Sequence, residues 1–150
     1  MDYYLAIDPG EKRVGWASFK EDGTETGMGT IIGDPDTFMD WLESLDPAPK
    51  EIIYENYRVN PTINHGFSKV VTIQLIGMIK RYAKHREIVL HEQDNTRLPI
   101  GLRYIGMFGM YYDVRTKKRT KHVDDQISAY AHGVYYLQTQ GIRKSRVEGR

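Results

Sequence analysis

Tyr3-Tyr4-Leu5-Ala6-Ile7-Asp8-Pro9-Gly10, followed by Lys12-Arg13-Val14-Gly15-Trp16-Ala17, decides how this chain folds. An apolar strand begins at Tyr3 and ends on a carboxylate that hydrophobic burial does not call for. Asp8-Pro9-Gly10 turns the backbone sharply, so Arg13–Lys20 returns as a second strand beside the first. One acid is thereby presented at a strand end, next to a glycine that lets another backbone or a phosphate come close. Two further carboxylates at the same place would make a hard-cation site suited to phosphodiester chemistry. Glu55 and Asp125 are the candidates.

Outward from this corner, Gly23 marks a second turn and Glu25–Ile32 a third strand. Pro35 opens a helix over Asp36–Leu45, with Phe38, Trp41, Leu42 and Leu45 at helical spacing, and Pro47 and Pro49 stop it. Glu51-Ile52-Ile53-Tyr54-Glu55 is a short buried strand, again ending in an acid. A polar loop from Asn56 to His65 leads to a long helix from about Phe67 to Lys84 and a fifth strand, Glu87–His91. Leu98–Met110 is helical in part, and its Tyr104, Met107, Phe108, Met110, Tyr111 and Tyr112 read either as core or as a dimer surface. Thr116–Lys121 is a basic loop, and a last helix spans His122–Gln138, with Val123, Ile127, Tyr130, Val134 and Leu137 as its apolar face. The order β-β-β-α-β-α-β-α describes a hairpin-led α/β layer.

The chain has 150 residues, 40% of them hydrophobic and 27% charged, as in an ordinary single globular domain. Residues beyond about 141 are expected to form a disordered tail. No apolar run approaches the roughly 18–20 residues that cross a bilayer, so no membrane association or signal peptide is expected. The absence of cysteine excludes disulfides and thiolate metal sites. The net charge of +1 conceals an asymmetry: residues 1–55 hold 13 acids and 4 Lys or Arg, giving −9, and residues 56–150 hold 7 acids and 17 Lys or Arg, giving +10. The basic excess clusters near Asp125, an arrangement that fits a polyanionic partner.

Each acid has a structural reading when taken alone. Asp8 could merely form a turn, and Glu55 could be a buried carboxylate with a private partner. His122 and Asp125, three apart at the start of the expected last helix, project to one side of it, away from the apolar stripe. Asp124 and Asp125 also suit the positive end of a helix dipole. The combination outweighs these readings, because the three acids sit at two strand ends and a helix start. Carboxylate oxygens suit Mg²⁺ or Mn²⁺, and two ions about 4 Å apart can activate a water and stabilise the leaving 3′ oxygen.

These residues resemble the RuvC-type resolvases of the RNase H-like superfamily. Leu5-Ala6-Ile7-Asp8-Pro9-Gly10 is similar to the first motif of that family and Ile52-Ile53-Tyr54-Glu55 to its second. His122-x-x-Asp125-Gln126-Ile127-Ser128-Ala129 is similar to the last. The resemblance implies an RNase H-like fold with a five-stranded mixed sheet, β1-β2-β3 antiparallel, flanked by helices. It further implies a homodimeric, Mg²⁺-dependent endonuclease that cuts four-way (Holliday) or other branched DNA, with two ions per site and Mn²⁺ as a substitute. Asp8, Glu55, His122 and Asp125 then carry catalysis and hold metal, with Asp124 as an alternative ligand should the helix start one residue earlier. Gln126 departs from the alanine usual in the family. A cytoplasmic location follows, bacterial or, for a phage protein, that of the host. The Lys12–Ala17 stretch is also similar to the YqgF-type branch, linked to ribosomal RNA maturation, which stays open as the alternative.

For the nucleic acid, Lys117, Lys118, Arg119 and Lys121 lead directly into the His122/Asp125 segment and suit phosphates flanking a scissile bond. Tyr57 with Arg58 follows Glu55, where the family places a junction-contacting aromatic; tyrosine stacking on an unpaired base is worth roughly 1–3 kcal/mol.

Overall fold

The computed structural model describes residues 2–10, 12–56 and 67–144, with side chains 67–69 left aside. Five strands form one mixed sheet in the order β3-β2-β1-β4-β5. β1 (Tyr3–Asp8), β2 (Arg13–Lys20) and β3 (Glu25–Ile32) make the antiparallel lead. β4 (Glu51–Glu55) lies parallel to β1, with Ile7 opposite Tyr54, and β5 (Val89–Gln93) lies parallel to β4, with Glu55 opposite Gln93. Parallel pairing is what brings the ends of β1, β4 and β5 to one edge, so Asp8, Glu55 and Gln93 end on the same side of the sheet. This is the expected α/β layer, a mixed sheet flanked by helices.

Alternation along the strands divides the core in two. Leu5, Ile7, Ile52 and Tyr54 face α1 (Pro35–Glu43) and α2 (Phe67–Arg86), where they pack with Phe38, Leu42, Leu75 and Ile79. Tyr4, Ala6, Ala17, Phe19 and Ile53 face the last helix, α5 (Asp125–Thr139), and pack with Val134 and Leu137. By the same period of two, Asp8 continues the Tyr4–Ala6 row and Glu55 the Ile53 row, so both acids lie on the α5 side.

Small residues let α5 lie close on the sheet. A Cβ on Gly15 would stand 2.0 Å from the Asp125 carbonyl oxygen, and one on Gly133 would stand 2.4 Å from the Phe19 ring. α3 (Leu98–Tyr104) crosses α5 equally closely, since a Cβ on Gly101 would meet the Ala131 oxygen at 2.2 Å. Beyond α3 come the single turn α4 (Phe108–Tyr111) and a two-stranded ribbon of β6 (Tyr112–Asp113) and β7 (Lys118–Arg119).

Several elements differ from the sequence reading. α1 starts at Pro35 because the Asp34 side chain accepts a hydrogen bond from the Thr37 N–H, and it ends at Glu43 rather than Leu45. α2 runs on to Arg86; Glu87, at φ 55°, makes the turn, so β5 occupies 89–93 instead of 87–91. α5 begins at Asp125, three residues later than expected, because Asp124 caps it by accepting from the Gln126 N–H at 3.3 Å. The basic loop 116–121 is half ribbon, closed by the Asp113 carboxylate accepting from the Arg115 N–H at 2.8 Å. In the 98–112 segment, Leu98, Leu102 and Tyr111 are core, with Met107, Phe108 and Tyr112 packed against them, whereas Tyr104 and Met110 are exposed. Residues 141–144 dock on the β2–β3 turn, where Arg143 donates to the Gly23 carbonyl at 2.9 Å.

Gly15→Ala tests the seating of α5. Overpacking at this backbone contact is expected to cost about 1–3 kcal/mol, a fall in Tm of roughly 2–4 °C per kcal/mol for a chain of this size. Calorimetric unfolding that leaves Tm unchanged would show that α5 does not rest on β2 there.

Candidate active site: three acids around one cleft

Asp8, Glu55 and Asp125 line a single cleft of about 630 Å³ at the shared strand edge. Asp8 arrives at the end of β1, and Pro9-Gly10 turns the chain away behind it, Gly10 lying against the Arg13 carbonyl. Glu55 arrives at the end of β4, and Asp125 is the first residue of α5. Thr72 of α2, Ser128 of α5 and Arg119 of β7 also form its walls.

The electrostatics are those of crowded like charges. The Asp8 carboxyl is held well above the ordinary carboxylate range, first by burial and then by repulsion from Glu55. A hydrogen bond from the Ser128 hydroxyl works against this, repulsion from Asp125 adds to it, and Arg119 attracts. Asp125 is also raised, chiefly by burial, with His122 and Arg13 pulling down and Asp124 and Glu55 pushing up. The acids therefore feel one another. Among the described residues, however, no group of three or more His, Cys, Asp or Glu side chains is arranged to hold a metal ion as it stands.

The candidates fall into place unevenly. His122 lies before α5, not within it, so the shared-helix-face argument does not hold; it nonetheless lines the cleft, exposed, and lies close enough to influence Asp125. Asp125 lines the cleft, whereas Asp124 caps α5 and lines only an adjoining depression that it shares with Arg13, Tyr111, His122 and Asp125. Of the basic set, Arg119 lines the cleft. Lys117, Lys118 and Lys121 are exposed on or beside the ribbon, Lys117 at φ 56° in its turn. Tyr57 and Arg58 lie outside the described residues.

His132 escaped the sequence reading. Its ring is fully buried on α5, with Nε2 2.7 Å from Glu55 Oε1 and Nδ1 2.9 Å from Gln93 Oε1. A signal existed: Ser128, His132 and Tyr136 recur every four residues, a polar stripe inside an otherwise apolar helix face. Each meets the sheet, Ser128 at Asp8, His132 at Glu55 and Gln93, and Tyr136 at His91, 2.8 Å away.

No sequence-family model matches the chain, and no curated protein matches it by sequence. Solved structures do match in three dimensions. RuvC from T. thermophilus in complex with a Holliday junction substrate superposes with a TM-score of 0.62 at 10% identity, over 95% of this chain and 99% of that one. The fowlpox virus Holliday junction resolvase superposes with a TM-score of 0.58 at 14% identity, over 92% and 99%. The chain thus has a RuvC-like RNase H fold, and at these identities the likeness concerns the fold alone.

Because Asp8 is raised in the folded chain, its contribution to stability is full at acid pH and is lost as pH rises through the raised value. With divalent ions chelated at pH 7, Asp8→Asn is accordingly expected to unfold a few degrees higher than the parent, with the gap closing on acidification. Equal Tm values at pH 7 would mean that the Asp8 charge is not strained.

Proposed function

We propose that this chain is a divalent-metal-dependent endonuclease that cuts branched DNA, four-way junctions above all. The observation that carries this reading is the convergence of Asp8, Glu55 and Asp125 on one cleft with Arg119 at its wall. The fold likeness to two junction resolvases over nearly the whole chain adds support.

The donor chemistry fits Mg²⁺, with Mn²⁺ as a substitute: all three cleft acids offer carboxylate oxygens, and their mutual repulsion around Asp8 is what a cation relieves. Asp8, Glu55 and Asp125 would hold two ions, with His122 beside Asp125 as the fourth group; Asp124, engaged in its cap, is the poorer candidate. The ions when bound supply an activated water and charge stabilisation for phosphodiester hydrolysis. The remaining work falls to the chain itself. Ser128 donates to Asp8 and restricts its carboxylate. Arg119 offers a guanidinium to the phosphate that approaches the acids. Lys117, Lys118 and Lys121, exposed beside it, meet neighbouring phosphates and hold the strand in register. Such contacts read backbone shape and charge, so selectivity is structural and strongly salt-dependent. Tyr57 and Arg58 are assigned to the branch point.

Symmetric incision of a four-way junction needs two cleavage sites related by a twofold axis, which a homodimer provides. Val70 and Ile73, 49% and 41% exposed on α2, offer apolar surface for a second copy.

The assay is cleavage of a labelled four-way junction with Mg²⁺, beside matched linear duplex and structured RNA. Paired symmetric nicks at the junction are expected, and cleavage of RNA alone would transfer the chain to the ribosomal RNA-processing alternative. Asp8→Asn and Glu55→Gln are expected to lower cleavage at least 10³-fold, about 4 kcal/mol of barrier, while junction binding stays within a few-fold. Normal cutting by either variant would refute the metal-holding role. Lys117→Ala/Lys118→Ala/Arg119→Ala is expected to weaken binding and to flatten the slope of its salt dependence by roughly 1 for each phosphate no longer neutralised. An unchanged slope would remove the ribbon from the interface.

A further inference from the structure

Among the described residues, Glu55 is the one cleft acid gripped by a buried ring. His132 is 0% exposed, yet both ring nitrogens have partners, Glu55 Oε1 at 2.7 Å and the Gln93 side-chain amide at 2.9 Å. An ionised carboxylate only accepts, so Nε2 carries the hydrogen and donates it to Glu55. The Glu55 side chain remains 25% exposed at the cleft, so the ring takes one oxygen without enclosing the group. Gln93 is buried at the end of β5 opposite Glu55 and meets the other ring nitrogen with its side-chain amide; with the hydrogen on Nε2, Nδ1 accepts, so the amide presents its N–H to the ring and fixes its plane.

We propose that His132 is a positioning residue for Glu55, with Gln93 as its support, so that the carboxylate is aimed into the cleft before any ion binds. The inference rests on the nuclease reading above and deepens it. The physical need is specific to this acid. Asp8 has a shorter side chain than Glu55, whose additional rotatable bond leaves its carboxylate more orientations to lose beside the like charges of Asp8 and Asp125. A donor behind Glu55 fixes one orientation, much as outer partners orient metal-holding carboxylates.

The same seam contains its own control. One helical turn further along α5, Tyr136 meets His91, which contacts Glu51 at 2.5 Å. This group repeats the acid–histidine pairing on the same sheet face but lines no part of the cleft.

The test is calorimetric binding of Mn²⁺ alone to the full chain, with Tm measured in parallel. Asparagine at 132 keeps a polar group on the Gln93 side of the ring and loses the reach to Glu55, whereas glutamine keeps a donor near the Nε2 position. His132→Asn is expected to weaken Mn²⁺ binding about 10–100-fold, His132→Gln to restore it to within a few-fold, and His91→Asn to leave it unchanged. Should His132→Asn fail to fold, Gln93→Met supplies the milder lesion, with a smaller but measurable loss of affinity. Parental affinity in His132→Asn or Gln93→Met would overturn the proposal, as would equal weakening by asparagine and glutamine, which marks a packing effect. Mn²⁺ binding by the parent with no effect at 132 sinks this inference alone. A parent that binds no Mn²⁺ removes the metal reading and this one with it.

Discussion

The close seating of α5 on the sheet is the constraint on which the site depends. The helix approaches to backbone contact at Gly15, where any side chain would strike the Asp125 carbonyl, and nests against Phe19 and Ala6 at Gly133. Tertiary packing of this kind, not helix propensity, holds most helices in place. Here it also sets where Asp125 stands, because the contact at Gly15 falls on the very residue that carries the third acid. Gly15 is in turn the cross-strand partner of Asp8. One short β-hairpin therefore positions one acid directly and a second by contact.

The seam between α5 and the sheet is part apolar and part polar, and the two parts do different work. Val134 and Leu137 bury against Tyr4, Ala6 and Ile53, which supplies the hydrophobic stabilisation. Ser128, His132 and Tyr136 instead meet polar groups of the sheet along the same interface, Ser128 at Asp8, His132 at Glu55 and Gln93, and Tyr136 at His91 and Glu51. Buried polar groups left without partners are costly, so such a stripe also restricts the helix to one register. A one-residue slip would part His132 from Glu55 and leave both unmatched.

Burying a carboxyl and crowding it with like charges both cost stability, and Asp8 is raised by burial first and by Glu55 second. The fold bears that cost where β1 and β4, parallel neighbours, end together. Sites that concentrate charge for chemistry commonly accept such strain. The ribbon of residues 112–119 places one cation, Arg119, against the crowded acids while leaving Lys117 and Lys118 outward.

Much of this was legible in the chain. The alternating apolar residues of Tyr3–Asp8 and Arg13–Lys20 specify strands, Asp8-Pro9-Gly10 specifies the corner, and the acids at two strand ends and beside the last helix point to the cleft they line, because these signals act over a few residues. Local chemistry also misled: capping by Asp124 moved the start of α5 past His122, and Glu87 at positive φ shifted β5 by two residues. The pairing of His132 with Gln93 was decided by tertiary structure. The two lie 39 residues apart and meet only because β5 pairs with β4 while α5 packs across both. A sequence states which groups can donate and accept, but partnerships between distant segments exist only once burial has removed water as the competing partner.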